Sequence, residues 1–589
     1  MLDETGAEGV SVQIVKLPLS VRFDNPSEGD MSQSPEEGNS EGSERLEEDD
    51  QLLYDNNKLY NSSMRVEEED QKILVHFDEN ESTNFSWKKL AVFMGPGFLM
   101  SIAYLDPGNI ESDLQAGVVS GFDLLWLLLL AHVMGFLLQC LAIRLGVVTG
   151  NHLAEVAHAQ YHVVPRVILW IMVEIAIIGS DMQEVIGTAI ALYIISSKKI
   201  PIWGGVLLTI IDTFTFLFLD KYGLRKLEAF FCFLIGVMAV MFGMEYFWHL
   251  PDQVEIVKGF VPGWGSGHWD TTVTIQAVGM IGAVIMPHNF YLHSALVRSR
   301  EIDRTNKGAV REANKYNSIE SGLALVSSFV INFFVVCVFA NAWYFNNGPN
   351  MDCKTTLNLT DDSVDLYSAG EYLECKFGSA LKYIWAIGIL AAGQSSTMTG
   401  TYSGQFVMEG FIKLKLPRWK RVLITRSIAI CPTVILAVVS NNNIGELSNL
   451  NDILNILQSM MLPFALLPIL QFSSDKAIMG WCKSPKSILA VIWILAFLIF
   501  GINVYLVVAS VIGFKLSHGY IALVVLIYVI YSVIVAYFLL QALKIRVPLL
   551  EKWFPSPANR ADNKRNVADA GPHQFSESDR IIENEVFGG

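Results

Sequence analysis

Asp106, Asn109 and Met286 are the residues in this sequence whose types and setting could do chemistry together. Asp106 and Asn109 lie in AYLDPGNIESDLQAG (103–117), where an apolar run meets Asp, Pro, Gly and Asn in succession. A charged side chain at the centre of a bilayer costs roughly 2.5–3.5 kcal/mol or more, and Pro-Gly removes helical hydrogen bonds. Both liabilities make sense if a cation is bound there. A hard carboxylate and an amide oxygen alone would suit sodium, calcium or magnesium. Met286 changes that reading, because it holds in M-P-H-N the place that Asp106 holds in D-P-G-N. A thioether gains little from a hard, strongly hydrated ion but binds transition metals. Asp, Asn and Met together therefore select for ions such as Mn, Fe or Co over Ca and Mg.

The two motifs need elements that bring them together. Both interrupt apolar segments, and those segments lie five spans apart. Helix breaks at corresponding positions in two halves point to an inverted-repeat transporter, whose unwound stretches meet near the midplane. An odd repeat of five places the halves in opposite orientations.

The composition agrees with a polytopic membrane protein: 589 residues, 52% hydrophobic, 17% charged and mean hydropathy +0.38. Apolar segments recur at 90–117, 122–146, 165–195, 202–219, 228–247, 272–297, 320–345, 378–411, 421–440, 451–472, 487–513 and 519–544. The expected fold class is thus all-α with about twelve transmembrane helices, helices 1 and 6 unwound in mid-membrane. The net charge of −16 belongs to residues 1–86, which hold 22 acids and 6 bases, so the body is neutral. That tail is rich in Ser, Glu and Gly and is expected to be a disordered cytoplasmic segment without a cleavable signal peptide. The transporter domain is expected over 87–545 and a second cytoplasmic tail over 546–589.

Bases cluster before span 1 and between spans 4 and 5, 6 and 7, and 8 and 9, which puts both termini in the cytoplasm. The acidic 346–377 loop is then extracytoplasmic. It carries a sequon at Asn358, which predicts glycosylation, and Cys353 and Cys375, which could pair in an oxidising compartment. No cysteine shows zinc-finger spacing, and no nucleophile–base pair or phosphate-binding loop suggests an enzyme.

Buried carboxylates inside spans usually mark an ion or proton path. Glu174, Asp181 and Glu184 share one stripe of span 3, and Arg426 in span 9 is the candidate partner. A static buried salt bridge is the structural alternative. His288 and His293 follow Met286 in span 6, and imidazole titrates near physiological pH. On span 10, Asn455 and Gln458 share a helical face and could be outer metal ligands or interhelical hydrogen-bonding partners. The run GQSSTMTGTYSG (393–404) reads as small residues that allow close helix packing.

LDPGNIESDLQ, GSDMQEVIGTAIA (179–191), LDKYGLRKLEAFF (219–231), GAVIMPHNFYLHSALVRSR (282–300) and GQSSTMTGTYSGQFVMEGF (393–411) resemble the Nramp family of proton-coupled divalent metal transporters. The resemblance covers roughly 85–545. It implies a LeuT-like 5+5 inverted repeat and metal held by Asp106, Asn109 and Met286. Backbone carbonyls of Ala283 and, in some conformations, Ala103 would complete the shell. It implies that the span 3–span 9 network carries protons from Asp106 toward the cytoplasm, and that His288 and His293 serve pH dependence.

The expected function is symport of Mn2+, Fe2+ or similar ions with H+ toward the cytoplasm, with no resident cofactor and no nucleic-acid partner. Two rivals are weighed against it. An amino-acid symporter of the same fold is disfavoured because Asp106 would repel the substrate carboxylate, and a metal sensor because it needs no proton exit. EDDQLL (48–53) resembles an acidic dileucine signal, which implies sorting adaptors and a plasma-membrane or endosomal–lysosomal location.

Overall fold

The computed structural model describes residues 12–13, 73–75, 85–93, 104–219, 224–263, 269–345, 364–413, 418–439, 444–513, 518–545 and 554. Its helices are α1 (Trp87–Phe93), α2 (Pro107–Ser120), α3 (Leu125–Thr149), α4 (Leu153–Gln160), α5 (Val163–Ile195), α6 (Ile202–Leu219), α7 (Leu224–Trp248) and α8 (Gln253–Gly259). There follow α9 (Thr271–Val284), α10 (Pro287–Leu296), α11 (Lys307–Phe339), α12 (Leu366–Phe377), α13 (Ser379–Ile412) and α14 (Arg418–Val439). The chain closes with α15 (Ile444–Met461), α16 (Pro463–Ser473), the single turn α17 (Lys476–Met479), α18 (Lys486–Gly513) and α19 (His518–Ala542).

Several of these are long and apolar enough to cross a membrane, among them α3, α5 and α11. Backbone groups in hydrocarbon must find partners within their own segment, so helices are the form such segments take. Exposed Ile, Val, Leu and Phe side chains, such as Ile494, Phe497, Leu526 and Val533, form the lipid-facing surface. The interior is unusually polar for an apolar chain: Asp106, Asn109, Asp113, Glu184, Asn289 and Asn455 are all fully or almost fully buried.

Sequence expectation and structure differ in two places here. The tail (1–86) is expected to be disordered, yet Val12–Gln13 pairs antiparallel with Ile73–Val75, which pairs parallel with Arg300–Glu301. Backbone N–H and C=O groups at 300–301 pair with the strand of the tail, an attraction that side-chain composition does not display. The rest of the tail, including EDDQLL, lies outside the described residues. Second, the expected span 10 is one membrane span, Ile444–Ser473, but Leu462 and Pro463 interrupt it and divide it into α15 and α16.

The breaks in spans 1 and 6 share one construction. Asp106 caps α2 with extended backbone (φ −73°, ψ 164°), and Pro107 is the first helical residue. Met286 caps α10 in the same way (φ −70°, ψ 126°), with Pro287 first. Proline is favoured at this position because its missing N–H would be unpaired anyway. The consequence lies four residues upstream, where a helical carbonyl expects an N–H. Pro287 has none to give Ala283, and the spacing of Pro107 from Ala103 is the same. Close packing then holds α9 in place. A Cβ on Gly282 would overlap the Asn455 carbonyl, and one on Gly279 would lie 3.6 Å from the Asn455 Cβ.

Candidate metal site and proton network

Asp106 is fully buried at the start of α2. Its Oδ1 accepts from the Asn109 backbone N–H at 3.0 Å, the usual N-cap bond. Its Oδ2 is buried with no protein partner. Asn109 donates its Nδ2 to the Tyr104 carbonyl at 2.6 Å, which leaves Oδ1 buried and unpartnered as well. The same Tyr104 carbonyl accepts from Ser328 Oγ at 3.1 Å, and Gln139 Nε2 donates to the Tyr104 hydroxyl at 2.6 Å. The strand of chain entering Asp106 is therefore fixed from α3 and α11. Two hard oxygens are left without protein donors in a buried site. Leaving an acceptor so costs about 1–3 kcal/mol, more for a charge, and a bound cation would repay it.

Met286 and Ala283 are both buried at the equivalent break of span 6. The α9 carbonyls just before it carry the partial negative charge of a helix C-terminus. Among the described residues, no group of three or more His, Cys, Asp and Glu side chains comes together to hold a metal ion. One carboxylate, one amide, one thioether and a freed carbonyl make a different donor set, and they fit a site that must also release its ion. Ala103 lies outside the described residues.

Asn289 holds in span 6 the place of Asn109, and both its side-chain polar atoms are buried and unpartnered. Sequence reading passed over it, although the P-x-N repeat carried the signal. Asp113 was also missed. It lies two turns beyond Asp106 on α2, both its oxygens are buried without partners, and the Asp106 charge acts on it.

The two span 10 residues divide in an informative way. Asn455 Oδ1 accepts from Gln183 Nε2 at 2.6 Å and its Nδ2 donates to the Gly108 carbonyl at 3.2 Å. Both ends are engaged in holding α2, α5 and α15 together. Gln458 donates to the Ala176 carbonyl at 2.6 Å, but its Oε1 is buried and free.

The carboxylates of α5 are paired, though not all with the residue expected. Arg426 Nη2 lies 2.7 Å from Glu184 Oε2 and 3.7 Å from Asp181 Oδ1. Glu174 instead pairs with Arg421 at 3.2 Å and accepts from Trp170 Nε1 at 3.1 Å. This corrects the assignment of Arg426 as partner of all three: Glu174 is two turns, about 10 Å, down the helix from Asp181. Arg421 follows Lys420 in a basic stretch that reads as an interfacial loop, which hid its role.

The small-residue run of α13 also does more than pack. Thr397 Oγ1 donates to Glu184 Oε2 at 3.0 Å, and Arg421 donates to the Thr401 carbonyl at 3.1 Å. A Cβ on Gly400 would lie 3.1 Å from Asp181 Oδ1, and one on Gly404 would overlap the Arg421 guanidinium. Glycines at these positions make the room that the charges occupy. Pro107, next to Asp106, packs its ring into the space beside Gly187 on α5 and Gly393 on α13. Glu184 lies one turn from Gly187.

His288 and His293 are buried in α10. Ser403 Oγ donates to the His288 carbonyl at 3.0 Å, and neither ring nitrogen of His293 has a protein partner.

A family model described as "Natural resistance-associated macrophage protein-like" matches residues 97–509. The chain belongs to the Nramp family. Natural resistance-associated macrophage protein 2 of Mus musculus is 56% identical over 476 residues, covering 78% of this chain and 83% of that relative. Protein Malvolio of Drosophila melanogaster is 52% identical over 497 residues, covering 82% and 83%. The crystal structure of a manganese transporter from Eremococcus coleocola, bound to an aromatic bis-isothiourea compound, superposes with a TM-score of 0.68 at 30% identity. That match covers 80% of this chain and 98% of the other. An Nramp protein is a membrane metal transporter and not an enzyme, so the enzyme reading is closed. The expected helical membrane body, with helix breaks at Asp106 and Met286, is the one found.

Asn358 and Cys353 lie outside the described residues. Cys375, at the end of α12, is disulfide-bonded.

Proposed function

We propose that this Nramp protein is a proton-coupled symporter that moves Mn2+, Fe2+ or a similar ion into the cytoplasm. Asp106, Asn109, Met286 and the Ala283 carbonyl, joined by Ala103 in some conformations, form its transport site. The observation that carries this reading is the pair of matched helix breaks, one capped by Asp106 and the other by Met286. Asp106 Oδ2 and Asn109 Oδ1 supply unpartnered hard oxygens, and Met286 supplies the soft donor that calcium and magnesium cannot use. Binding a cation favours the ionised form of Asp106, so metal entry releases a proton from it. The Glu184–Asp181–Arg426 and Glu174–Arg421 pairs lead from Pro107 along α5 and give that proton acceptors. His288 and His293 supply titratable groups beside the break.

Both termini are cytoplasmic on this reading, with α12 on the outer side, Asn358 glycosylated and Cys353 the partner of Cys375. The protein resides in the plasma membrane or the endosomal–lysosomal system, with EDDQLL read by sorting adaptors.

Manganese uptake into proteoliposomes tests the site. Wild type is expected to take up Mn2+ faster with an acidic exterior, and Asp106→Ala to take up none. Met286→Ala is expected to lose roughly tenfold or more of its preference for Mn2+ over added Ca2+, a change of about 1.4 kcal/mol. Full uptake by Asp106→Ala would refute the assignment.

A further inference from the structure

α11 begins with three exposed bases, Lys307, Arg311 and Lys315, spaced one turn apart on one face of the helix. The chain brings a second basic segment to them. The turn Gly480–Cys482, which joins α17 to α18, places the ring of the exposed Trp481 5.9 Å from Lys307 Nζ and 5.4 Å from Arg311 Cζ. Lys483 and Lys486 follow that tryptophan and are exposed too. The acids beside these bases in sequence are engaged elsewhere. Glu312 pairs with Lys89 at 3.0 Å and Asp475 with Lys544 at 3.1 Å, while Asp303 accepts from the Thr305 N–H at 2.9 Å. Among the described residues, no carboxylate forms an ion pair with Lys307, Arg311, Lys483 or Lys486.

This patch lies where the chain enters hydrocarbon. Lys486 opens α18, whose Ile488, Val491 and Ile494 are exposed. Along α11, Leu323 and Val326 are exposed beyond Lys315. An exposed tryptophan among lysines suits the boundary between headgroups and water. The proposed topology makes this the cytoplasmic leaflet, which carries the anionic lipids. We propose that Lys307, Arg311, Lys315 and Trp481, with Lys483 and Lys486, bind the headgroup of a phosphoinositide. From Lys307 to Lys315 the bases rise about 12 Å along α11, more than the depth of the headgroup layer, roughly 5–8 Å. A phosphorylated inositol carries phosphates on opposite sides of its ring and so meets bases at several heights. A serine headgroup holds its charge at one level. Arg311 offers a planar fork to one phosphate, and the lysines offer point charges to the others. The Trp481 ring steadies Lys307 and Arg311 through their cation–π contacts. A headgroup held there joins α11 to the α17–α18 connection, away from the transport site and the α5–α14 network.

Lipid binding to the purified full-length protein in a neutral detergent tests the site, read as the anisotropy of a fluorescent short-chain phosphatidylinositol bisphosphate. Wild type is expected to bind it with an affinity that falls as salt is raised. Unlabelled phosphatidylcholine is expected not to displace it. Lys307→Ala, Arg311→Ala and Lys315→Ala combined are expected to weaken binding roughly tenfold or more, the loss due to three bases facing anionic lipid. Lys483→Ala with Lys486→Ala lies outside α11 and is expected to weaken it several-fold, so the test does not depend on the folding of one variant. Lys198→Ala with Lys199→Ala, at the opposite end of the bundle, is expected to leave it unchanged. Unchanged affinity in both patch variants, or an equal loss in the Lys198–Lys199 control, would overturn the proposal. So would displacement of the lipid by inorganic phosphate at comparable concentration, which would make the patch a site for free anions. The assay contains no manganese, so its failure is distinguished from failure of the transport reading.

Discussion

Arg426 shows how few side chains hold the charged interior together. It is buried and faces two carboxylates, Glu184 at 2.7 Å and Asp181 at 3.7 Å. Removing one partner of a buried ion pair leaves an uncompensated charge, which costs about 3–5 kcal/mol. Arg426→Met is expected to lower the midpoint of thermal unfolding in detergent sharply. Adding Glu184→Gln to it is expected to recover part of the loss, since one orphaned charge is then gone. Equal stability of single and double variants would mean that Glu184 is not the partner that matters. Asp106, Asn109 and Met286 were legible in the sequence because proline breaks mark their places in apolar runs. Arg421 and Thr397 were not, because a base near an interface and a threonine in a small-residue run are common for reasons unrelated to charge pairing. Their roles come from helix crossings that no local pattern encodes.

At the scale of elements, the two Pro-initiated helices are the device on which the proposed transport site depends. Pro287 has no N–H to give the Ala283 carbonyl, which on the proposed reading leaves it available to a cation. Pro287→Ala would supply that N–H and let α9 run on into α10. The expected outcome is a fold at least as stable as wild type, because a helical hydrogen bond contributes about 0.5–1.5 kcal/mol. Manganese affinity, measured by calorimetry on the purified protein, is expected to fall roughly tenfold, about 1.4 kcal/mol. Loss of stability with unchanged affinity would mean that the break serves packing alone. Near α12, α2 is clasped to its neighbours: Ser448 and Gln115 both donate to Glu111 Oε1, and Gln115 also donates to the Val364 carbonyl. Gln276 Nε2 donates to Asp452 Oδ2 at 3.0 Å, joining α9 to α15. The paired breaks, and with them the repeat, could be read from sequence. The division of span 10 at Pro463 and the clasp could not, since they depend on which helices meet.

For the whole molecule, acid is both the proposed driving force and a threat to the fold. The connection between α3 and α5, cytoplasmic in the proposed topology, carries a clasp sensitive to it. Glu155 Oε2 lies 3.0 Å from Arg298 Nη1 and accepts from the His152 backbone N–H at 2.9 Å, while Leu153 N–H donates to Ser294 Oγ at 2.9 Å. Burial pushes the Glu155 carboxyl up, but His152 and Arg298 outweigh it and hold it below its ordinary value. A depressed carboxylate stabilises the fold above its unfolded value, so this part of the clasp persists at mildly acidic pH. His152 behaves oppositely. Burial lowers it from 6.5 to about 4, with the Glu155 charge opposing and Arg298 assisting. The unfolded chain therefore takes up a proton that the folded one refuses, and stability falls as pH drops from 6.5 toward 4, by on the order of 3 kcal/mol. His152→Gln is expected to flatten the fall of unfolding temperature across that window, and an unchanged slope would exclude His152 as its source.

Proton coupling through α5 is the central claim, and simultaneous recording of Mn2+ uptake and lumenal pH in proteoliposomes tests it most directly. With the lumen equivalent to the cytoplasm, wild type is expected to acidify it in step with uptake, and Glu184→Gln to take up less proton per metal. Manganese uptake by wild type with no lumenal acidification, or with acidification of the outside, would contradict the claim.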